Sequence, residues 1–465
     1  MRNDTMTASF LSITIHPCEV FHDHSYFIRL STALFHKWKL SENDLLHLIV
    51  EKASVRVSVA SFESEENMIE IPNNLLAKLF LPARTICLGA KFIAAEKTVY
   101  FGPIITLLTE INEELDQVHF YTVHDFCYEL HKYASKLNCF FYVCSLQNIT
   151  NRTLNGYFYE NEKWHNSCLP IPNVVYNRIH SRRRELSKMF CSFQAQLKNY
   201  NIPFFNYKFL SKWEVHKQLM IEKKLHRFLP ETNILTKGNF TKMITCYDLL
   251  FIKPLHGSQG KDIVRIKKKG NNLAVQLSTT SVEENEQSFK DIEHFYQYFT
   301  SQLKKQAYIV QQGIYLITAN NRPLDFRLLC QKRNMHTWTV TSIVARLSAN
   351  HQFVSNISQG GEIVKPFSVL LTHFHFHKAL QIFSHMKELA IEAASVMSNQ
   401  HEGVIGELGI DIGVDINGGL WMIEINSKPS KKYPNHKANI RPSAKGIINY
   451  AKVLALSNGG SENSC

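Results

Sequence analysis

The chain has 465 residues, enough for two or three domains, and its 45% hydrophobic content is that of ordinary globular protein. No apolar run reaches the roughly 18 residues that a bilayer crossing needs, and the first residues lack the basic-then-apolar start of a secretory signal. The ten Cys are scattered without a C-x-x-C pair, which excludes a disulfide frame or zinc site and points to reduced thiols in a cytoplasmic setting. The net charge of +12 calls for an anionic partner. The basic runs Arg182–Arg184 and Lys267–Lys269 read as solvated faces, and no nucleic-acid signature accompanies them. A nucleotide polyphosphate suits the charge equally well.

Residues 1–110 read as a β-rich N-terminal domain, with strands at 12–15, 55–59, 85–90 and 98–101 bounded by charged or turn residues, and no chemistry. A helix at 121–137, a buried strand at 139–144 and a strand at 173–177 predict a small α/β domain over 111–204. Asn177 and Arg178 fall at a strand end, where ligands often bind; an Arg-rich helix start is the alternative. Composition changes near 205, so a third domain is placed over 205–455, followed by a flexible tail, 456–465.

In that third domain Ser211-Lys212-Trp213-Glu214 is a capping box opening a helix that runs toward His226. A strand over 249–253 carries Lys253 at its end. Gly257, Ser258 and Gly260 follow in a loop whose backbone N–H groups can close on an anion. It is no P-loop: Asp262 stands where Ser or Thr belongs, and 263–267 alternate as a strand. The segment is therefore a glycine-tipped hairpin flap, or a plain surface turn. A helix at 289–304 and a strand at 308–314 come next. Asp325 and Arg327 share one face of a further strand, either as a surface ion pair or with the guanidinium aimed at phosphate. A strand at 338–348 holds Arg346, and Asn356 precedes Gly360-Gly361. His373, His375 and His377 alternate as metal ligands on a strand would. The apolar stripe that follows is helical, so they are expected to fan out at a helix start.

The stretch GELGIDIGVDINGGLWMIEINSKPS, residues 406–430, is the most informative. Asn417-Gly418 predicts a two-residue hairpin turn. That register puts Val414 opposite Trp421, Ile412 opposite Ile423 and Asp411 opposite Glu424. One face then carries Ile410, Ile412, Val414, Ile416, Trp421, Ile423 and Ile425, and the other Asp411, Asp415, Glu424 and Asn426. Carboxylates face to face repel by about 3 kcal/mol at an effective dielectric near 20. A cation or proton between them relieves this, and an oxygen-only donor set favours Mg²⁺ or Mn²⁺. A solvated polar face is the plainer alternative.

Taken in order, these features resemble the ATP-grasp superfamily, and most closely the YheC/YheD family of bacterial spore-coat-associated ATP-grasp proteins, over about residues 170–455. The motifs that carry it are NRIHSRRRE, FNYKFLSKWEVHKQL, FIKPLHGSQGKDIVRI, RPLDFRLLCQK and the 406–430 hairpin. The resemblance implies an α+β ATP-grasp fold, two α+β subdomains gripping ATP. Lys212 and Lys253 would hold phosphates under a flap of Gly257, Ser258 and Gly260. The hinge, with Gln311, Gln312 and Ile314, would meet adenine, and Asp411, Glu424 and Asn426 would hold Mg²⁺. Arg327 and Arg346, with Asp325, would form the catalytic set of an ATP-dependent carboxylate–amine ligase working through an acyl phosphate. The carboxylate and amine substrates are left open, and spore-coat proteins are implied partners. A nucleotide-holding coat protein without turnover is the alternative. The sequence departs from the ligase pattern at Gln311-Gln312, where an acidic residue is common, at Ser430, where Gly ends the motif, and at Gly409, where a ligase arginine stands.

Overall fold

The computed structural model describes residues 10–19, 26–114, 117–150, 152–257, 260–270, 272–278, 287–302, 306–349, 353, 360–400, 403–432 and 439–458. They fall into two compact units, one of residues 1–208, 333–336 and 430–465, the other of 209–332 and 337–429.

The first unit begins with β1 (Leu11–Cys18), β2 (Phe27–Ser31), β3 (Leu45–Val50), β4 (Ala53–Phe62), β5 (Met68–Pro72), β6 (Ile86–Ile93) and β7 (Thr98–Gly102). They close into a barrel in the order β1-β5-β2-β4-β3-β7-β6. Closure removes exposed strand edges, and alternation along β4 sends Val55, Val57 and Val59 inward. A six-stranded sheet follows from β8 (Ile104–Leu108), β9 (Phe140–Cys144), β10 (Thr153–Glu160), β11 (Lys163–Pro170), β12 (Val174–Asn177) and β13 (Phe204–Phe205), in the order β11-β10-β9-β8-β12-β13. β8, β9, β12 and β13 pair in parallel, and every residue of β8 and β9 is buried, as in strands covered on both faces. The strand-end Asn177 is committed to packing: its amide donates to Glu185 Oε1 at 2.9 Å and to the Tyr207 carbonyl at 3.3 Å.

In the second unit the capping box is present. Ser211 accepts from the Glu214 amide at 3.1 Å, opening α1 (Lys212–Leu219). This helix stops seven residues short of His226. Glu222 accepts from the Lys224 amide and starts a separate 3₁₀ segment, Lys223–Phe228. β14 (Thr232–Ile234), α2 (Lys237–Cys246), β15 (Leu249–Pro254), β16 (Val264–Lys269), β17 (Asn272–Leu277), β18 (Gln287–Phe289), α3 (Ile292–Gln302) and β19 (Tyr308–Gln312) make one lobe. Its antiparallel sheet runs β14-β19-β15-β16-β17-β18. Phe240, Met243 and Ile244 of α2 and Phe295 and Phe299 of α3 pack with Leu250, Ile252, Ile266 and Val310 in one core. β15 and β16 pair antiparallel, as expected of strands on either side of the glycine loop.

The other lobe contains β20 (Thr318–Ala319), β21 (Arg322–Lys332), β22 (Trp338–Leu347), β23 (Glu362–Val364), α4 (Pro366–His373), α5 (Phe376–Asn399), β24 (Glu407–Val414) and β25 (Leu420–Asn426). The sheet order is β23-β22-β21-β24-β25, with β20 beside β21. The histidines do sit at helix ends: His375 caps α5 by accepting from the Lys378 amide, and His373 Nε2 lies 2.6 Å from the Thr318 carbonyl.

The β24–β25 hairpin corrects one expectation and keeps another. Its loop holds three residues, Ile416 to Gly418. Asp415 N–H donates to the Gly419 carbonyl at 2.9 Å, and Gly418 takes φ +85, the left-handed conformation this turn needs. The register is thereby offset by one, giving Val414 opposite Leu420 and Ile412 opposite Met422. A bulge at Ile423 absorbs the offset, so Asp411 still faces Glu424. Leu420, Met422 and Ile425 are therefore buried in place of Trp421 and Ile423. Asp415 is not part of the acidic face. Its carboxylate accepts from the amides of Asn417 and Gly419 and from Trp421 Nε1, and holds the loop shut.

Candidate active site

Four strands of the second lobe, β15 of the first, and α1 bring seven charged side chains together within the second unit. β21 and β24 pair so that Arg327 lies opposite Asp411, and β21 and β22 pair so that Asp325 lies opposite Arg346. Asp325 and Arg327 share a face, yet they do not pair with each other. Arg327 grips Asp411 through Nε and through Nη2, the latter at 2.8 Å. Arg346 grips Asp325 with two bonds of 2.7 Å and also reaches Asp411 at 2.9 Å. The guanidiniums are thus held by planar two-point contacts, the geometry that gives arginine its directional strength.

Lys212, at the first turn of α1, donates to Glu424 Oε1 at 2.7 Å and to the Gly257 carbonyl at 3.0 Å. Lys253, at the end of β15, is buried and donates to Gln311 Oε1 at 2.6 Å. Gln311 in turn donates to Thr232 Oγ1 at 2.9 Å. Its side chain is thus spent on placing the lysine. Gln312 is tied to Glu231 through both main chain and side chain, while Ile314 is part-exposed just beyond β19. Glu231 also accepts from Tyr247 at 2.7 Å. An acid therefore does stand beside Gln312, supplied by the chain just before β14. Sequence reasoning missed it, because only the antiparallel pairing of β14 with β19 brings it there.

Burial and charge work against each other here. Burial pushes Asp411 up, but Arg327 and Arg346 outweigh it and hold its carboxyl below the usual range. Burial likewise pushes Glu424 up, and Lys212 outweighs it. Asp325 goes the other way: burial raises it, and the nearby Asp411 charge adds to the effect against the pull of Arg346. Burial lowers Lys253 to about 8. The repulsion between Asp411 and Glu424 is thus relieved by the protein's own cations. Three carboxylates against four cations leave the cluster one charge positive, which suits a polyanion.

Gly409 makes this arrangement possible. A Cβ there would stand 2.9 Å from Pro429 Cβ and 3.4 Å from Arg327 Cδ. The bare backbone of β24 is the bed across which Arg327, from the neighbouring strand, reaches Asp411. Gly409→Ala is expected to cost about 1–3 kcal/mol through this overpacking and to tilt the guanidinium. Chemical denaturation measures the first effect; an unchanged midpoint would show that the crowding is harmless.

The residues fit a hard divalent ion under one condition. Glu424 keeps 30% of its side chain exposed, whereas Asp411 keeps 4% and is held by two arginines. Asn426 lies two residues from Glu424 and is part-exposed. Among the described residues no three His, Cys, Asp or Glu converge on one point. An ion here would need ligand oxygens to complete its shell, as Mg²⁺ with phosphates does. Of the flap residues, Gly260 takes φ +68, and the Gly257 amide donates to the Pro254 carbonyl; Ser258 and Asn356 lie outside the described residues.

Two α+β lobes, with Lys253 from one and a carboxylate-bearing hairpin from the other, belong to the ATP-grasp fold. The chain is a member of the YheC/D-like ATP-grasp family, whose model matches residues 201–454. It is 28% identical over 411 residues to the endospore coat-associated protein YheD of Bacillus subtilis, covering 87% of this chain and 88% of that one. It is 21% identical over 276 residues to YheC of the same organism, covering 58% and 74%. Among solved structures, the D-alanine–D-alanine ligase of Coxiella burnetii aligns with a TM-score of 0.44 at 11% identity, over 77% of this chain and 95% of that chain.

Proposed function

We propose that the protein binds ATP with Mg²⁺ or Mn²⁺ and joins a carboxylate to an amine through an acyl phosphate. The observation that carries this reading is the convergence of Lys212, Lys253, Arg327 and Arg346 on the Asp411–Glu424 pair. The substrate carboxylate oxygen attacks the γ-phosphorus as the bond to the leaving ADP oxygen breaks. The amine then attacks the acyl carbon, loses a proton and expels phosphate. Lys212 and Lys253 neutralise phosphate oxygens under the glycine flap, and the hinge around Ile314 meets the base. Arg327 and Arg346, oriented by Asp325 and Asp411, offset charge that develops on the transferred group. Glu424 and Asn426, with Asp411, would hold the divalent ion, which would supply further charge neutralisation. The relatives' names extend to this chain as a proposed association with the endospore coat and its proteins. ADP release on adding candidate acids and amines tests the reading; ATP binding with no ADP under any pair would instead make it a nucleotide-holding protein.

Lys253 gives a second test. With the lysine at about 8 in the ligand-free protein, bound phosphate favours its charged form. ATP binding at about pH 9 is expected to take up close to one proton, read by calorimetry in buffers of different ionisation enthalpy. Lys253→Ala should remove that uptake; uptake that persists would remove Lys253 from the phosphate site. The sign for folding follows from the same depression. The unfolded chain binds more protons between about 8 and 10.5, so stability rises with pH across that window; below it the cost of burying the charged lysine is full and constant.

A further inference from the structure

Away from the charged cluster, the second unit has a pocket of about 730 Å³, bounded by the 3₁₀ segment Lys223–Phe228, by α5 and by the closed end of the β24–β25 hairpin. None of the seven charged side chains of the site lines it. In a 3₁₀ helix, residues three apart stand in one row. Lys224 and Arg227 form one such row and Leu225 and Phe228 the next, so the segment brings a cationic row and an apolar row to the same pocket. His226, whose Nε2 lies 2.8 Å from the Met220 carbonyl, ties the segment to the chain just past α1. From α5 come Glu388 and Glu392, four residues apart and so on one face, with His385 a turn earlier. The hairpin contributes Leu420 and Trp421, and Asp415 pins the indole by accepting from its Nε1 at 2.8 Å.

Two cations and two carboxylates thus line one pocket from separate elements without meeting. Among the described residues no ion pair joins them: Arg227 lies over the Phe228 ring, 4.6 Å from its centroid, and Glu388 accepts from Ser384 Oγ at 3.3 Å. We propose that the pocket binds a short peptide with free ends. Its carboxylate sits on Lys224 and Arg227, its ammonium on Glu388 and Glu392, and an apolar side chain against Phe228 and Trp421. An occupant that carries both charges satisfies both rows at once. A polyphosphate would meet the two acids, and a polyamine the two basic groups, so neither class fits. The apolar row and the fixed indole reward a hydrophobic side chain. The volume lies within the roughly 300–1,000 Å³ of small-molecule sites. The proposal uses no residue of the nucleotide site, so the two fail separately.

The test is calorimetric titration of the full chain with the dipeptide leucyl-phenylalanine, its N-acetyl form and its C-terminal amide. The free dipeptide is expected to bind, and each blocked form to bind about fivefold more weakly or worse. The double change Glu388→Gln and Glu392→Gln should weaken the free dipeptide by about fivefold and leave the N-acetyl form as it was. Lys224→Met with Arg227→Met should do the same for the free dipeptide and leave the amide as it was. All four side chains are exposed, so the fold is kept. No binding of the free dipeptide at millimolar concentration overturns the proposal. So does equal binding of free and blocked forms, which would leave the charges no part in recognition. A wild-type dimer that either double variant makes monomeric, while the dipeptide is ignored, overturns it in favour of a contact between copies.

Discussion

Replacing Arg346 by Met is expected to destabilise the second unit by about 3–5 kcal/mol, the cost of leaving buried carboxylates without their counter-ion. Arg346 lies between Asp325 and Asp411 and bonds both, and burial of the guanidinium is outweighed by those two charges, which hold its proton more firmly than in water. Met fills a similar volume, so little of the loss comes from packing. Without Arg346 both carboxyls rise in the folded state, so the penalty is full near neutral pH and shrinks as acid protonates them. Urea unfolding followed through Trp338 and Trp421, which sit on the same sheet, reads the effect. Adding Asp325→Asn should restore much of the stability by removing one of the stranded charges. If the single variant unfolds at the wild-type midpoint, the four-residue network carries no weight in the fold.

Changing Glu424 to Gln is expected to lower ATP affinity in the presence of Mg²⁺ by about 10–100-fold, while affinity without Mg²⁺ stays nearly the same. Glu424 is the more accessible of the two facing acids, and it is the one with a part-exposed amide oxygen near it in Asn426. The fold should survive, because the Lys212 pair is part-exposed and worth at most about 1 kcal/mol. Calorimetric titration of ATP with and without Mg²⁺ separates the outcomes. Equal losses in both conditions would mean that Glu424 serves only to place Lys212, and the metal assignment would fall.

The hairpin shows how far the sequence is readable. Alternation and turn chemistry located both strands and put Asp411 against Glu424. Asn417-Gly418 nevertheless satisfies a three-residue loop as readily as a two-residue one, since only Gly418 needs positive φ. The compensating bulge leaves no local mark, because its cause is the packing of Leu420 and Met422 rather than any residue at Ile423. The capping box at Ser211 was legible for the opposite reason: both of its hydrogen bonds lie within four residues. The arginine pairing was hidden. Same-face placement of Asp325 and Arg327 is a property of one strand, whereas their partners come from β22 and β24. Gly409 signalled its part only as a missing arginine; the neighbour that lies over it is visible only once β21 is alongside.

Lys212 ties three distant pieces of chain to one nitrogen: the start of α1, the Gly257 carbonyl of the flap and the carboxylate of Glu424. An ammonium has three protons, and two are committed in this arrangement. A phosphate oxygen arriving nearby must either take the third or compete for the others. In the second case the incoming anion loosens the loop above it and unmasks an acid below it in a single exchange. Under the proposed function, loading of nucleotide and release of Glu424 toward a metal would then be one linked equilibrium, each drawing the other forward by the same factor.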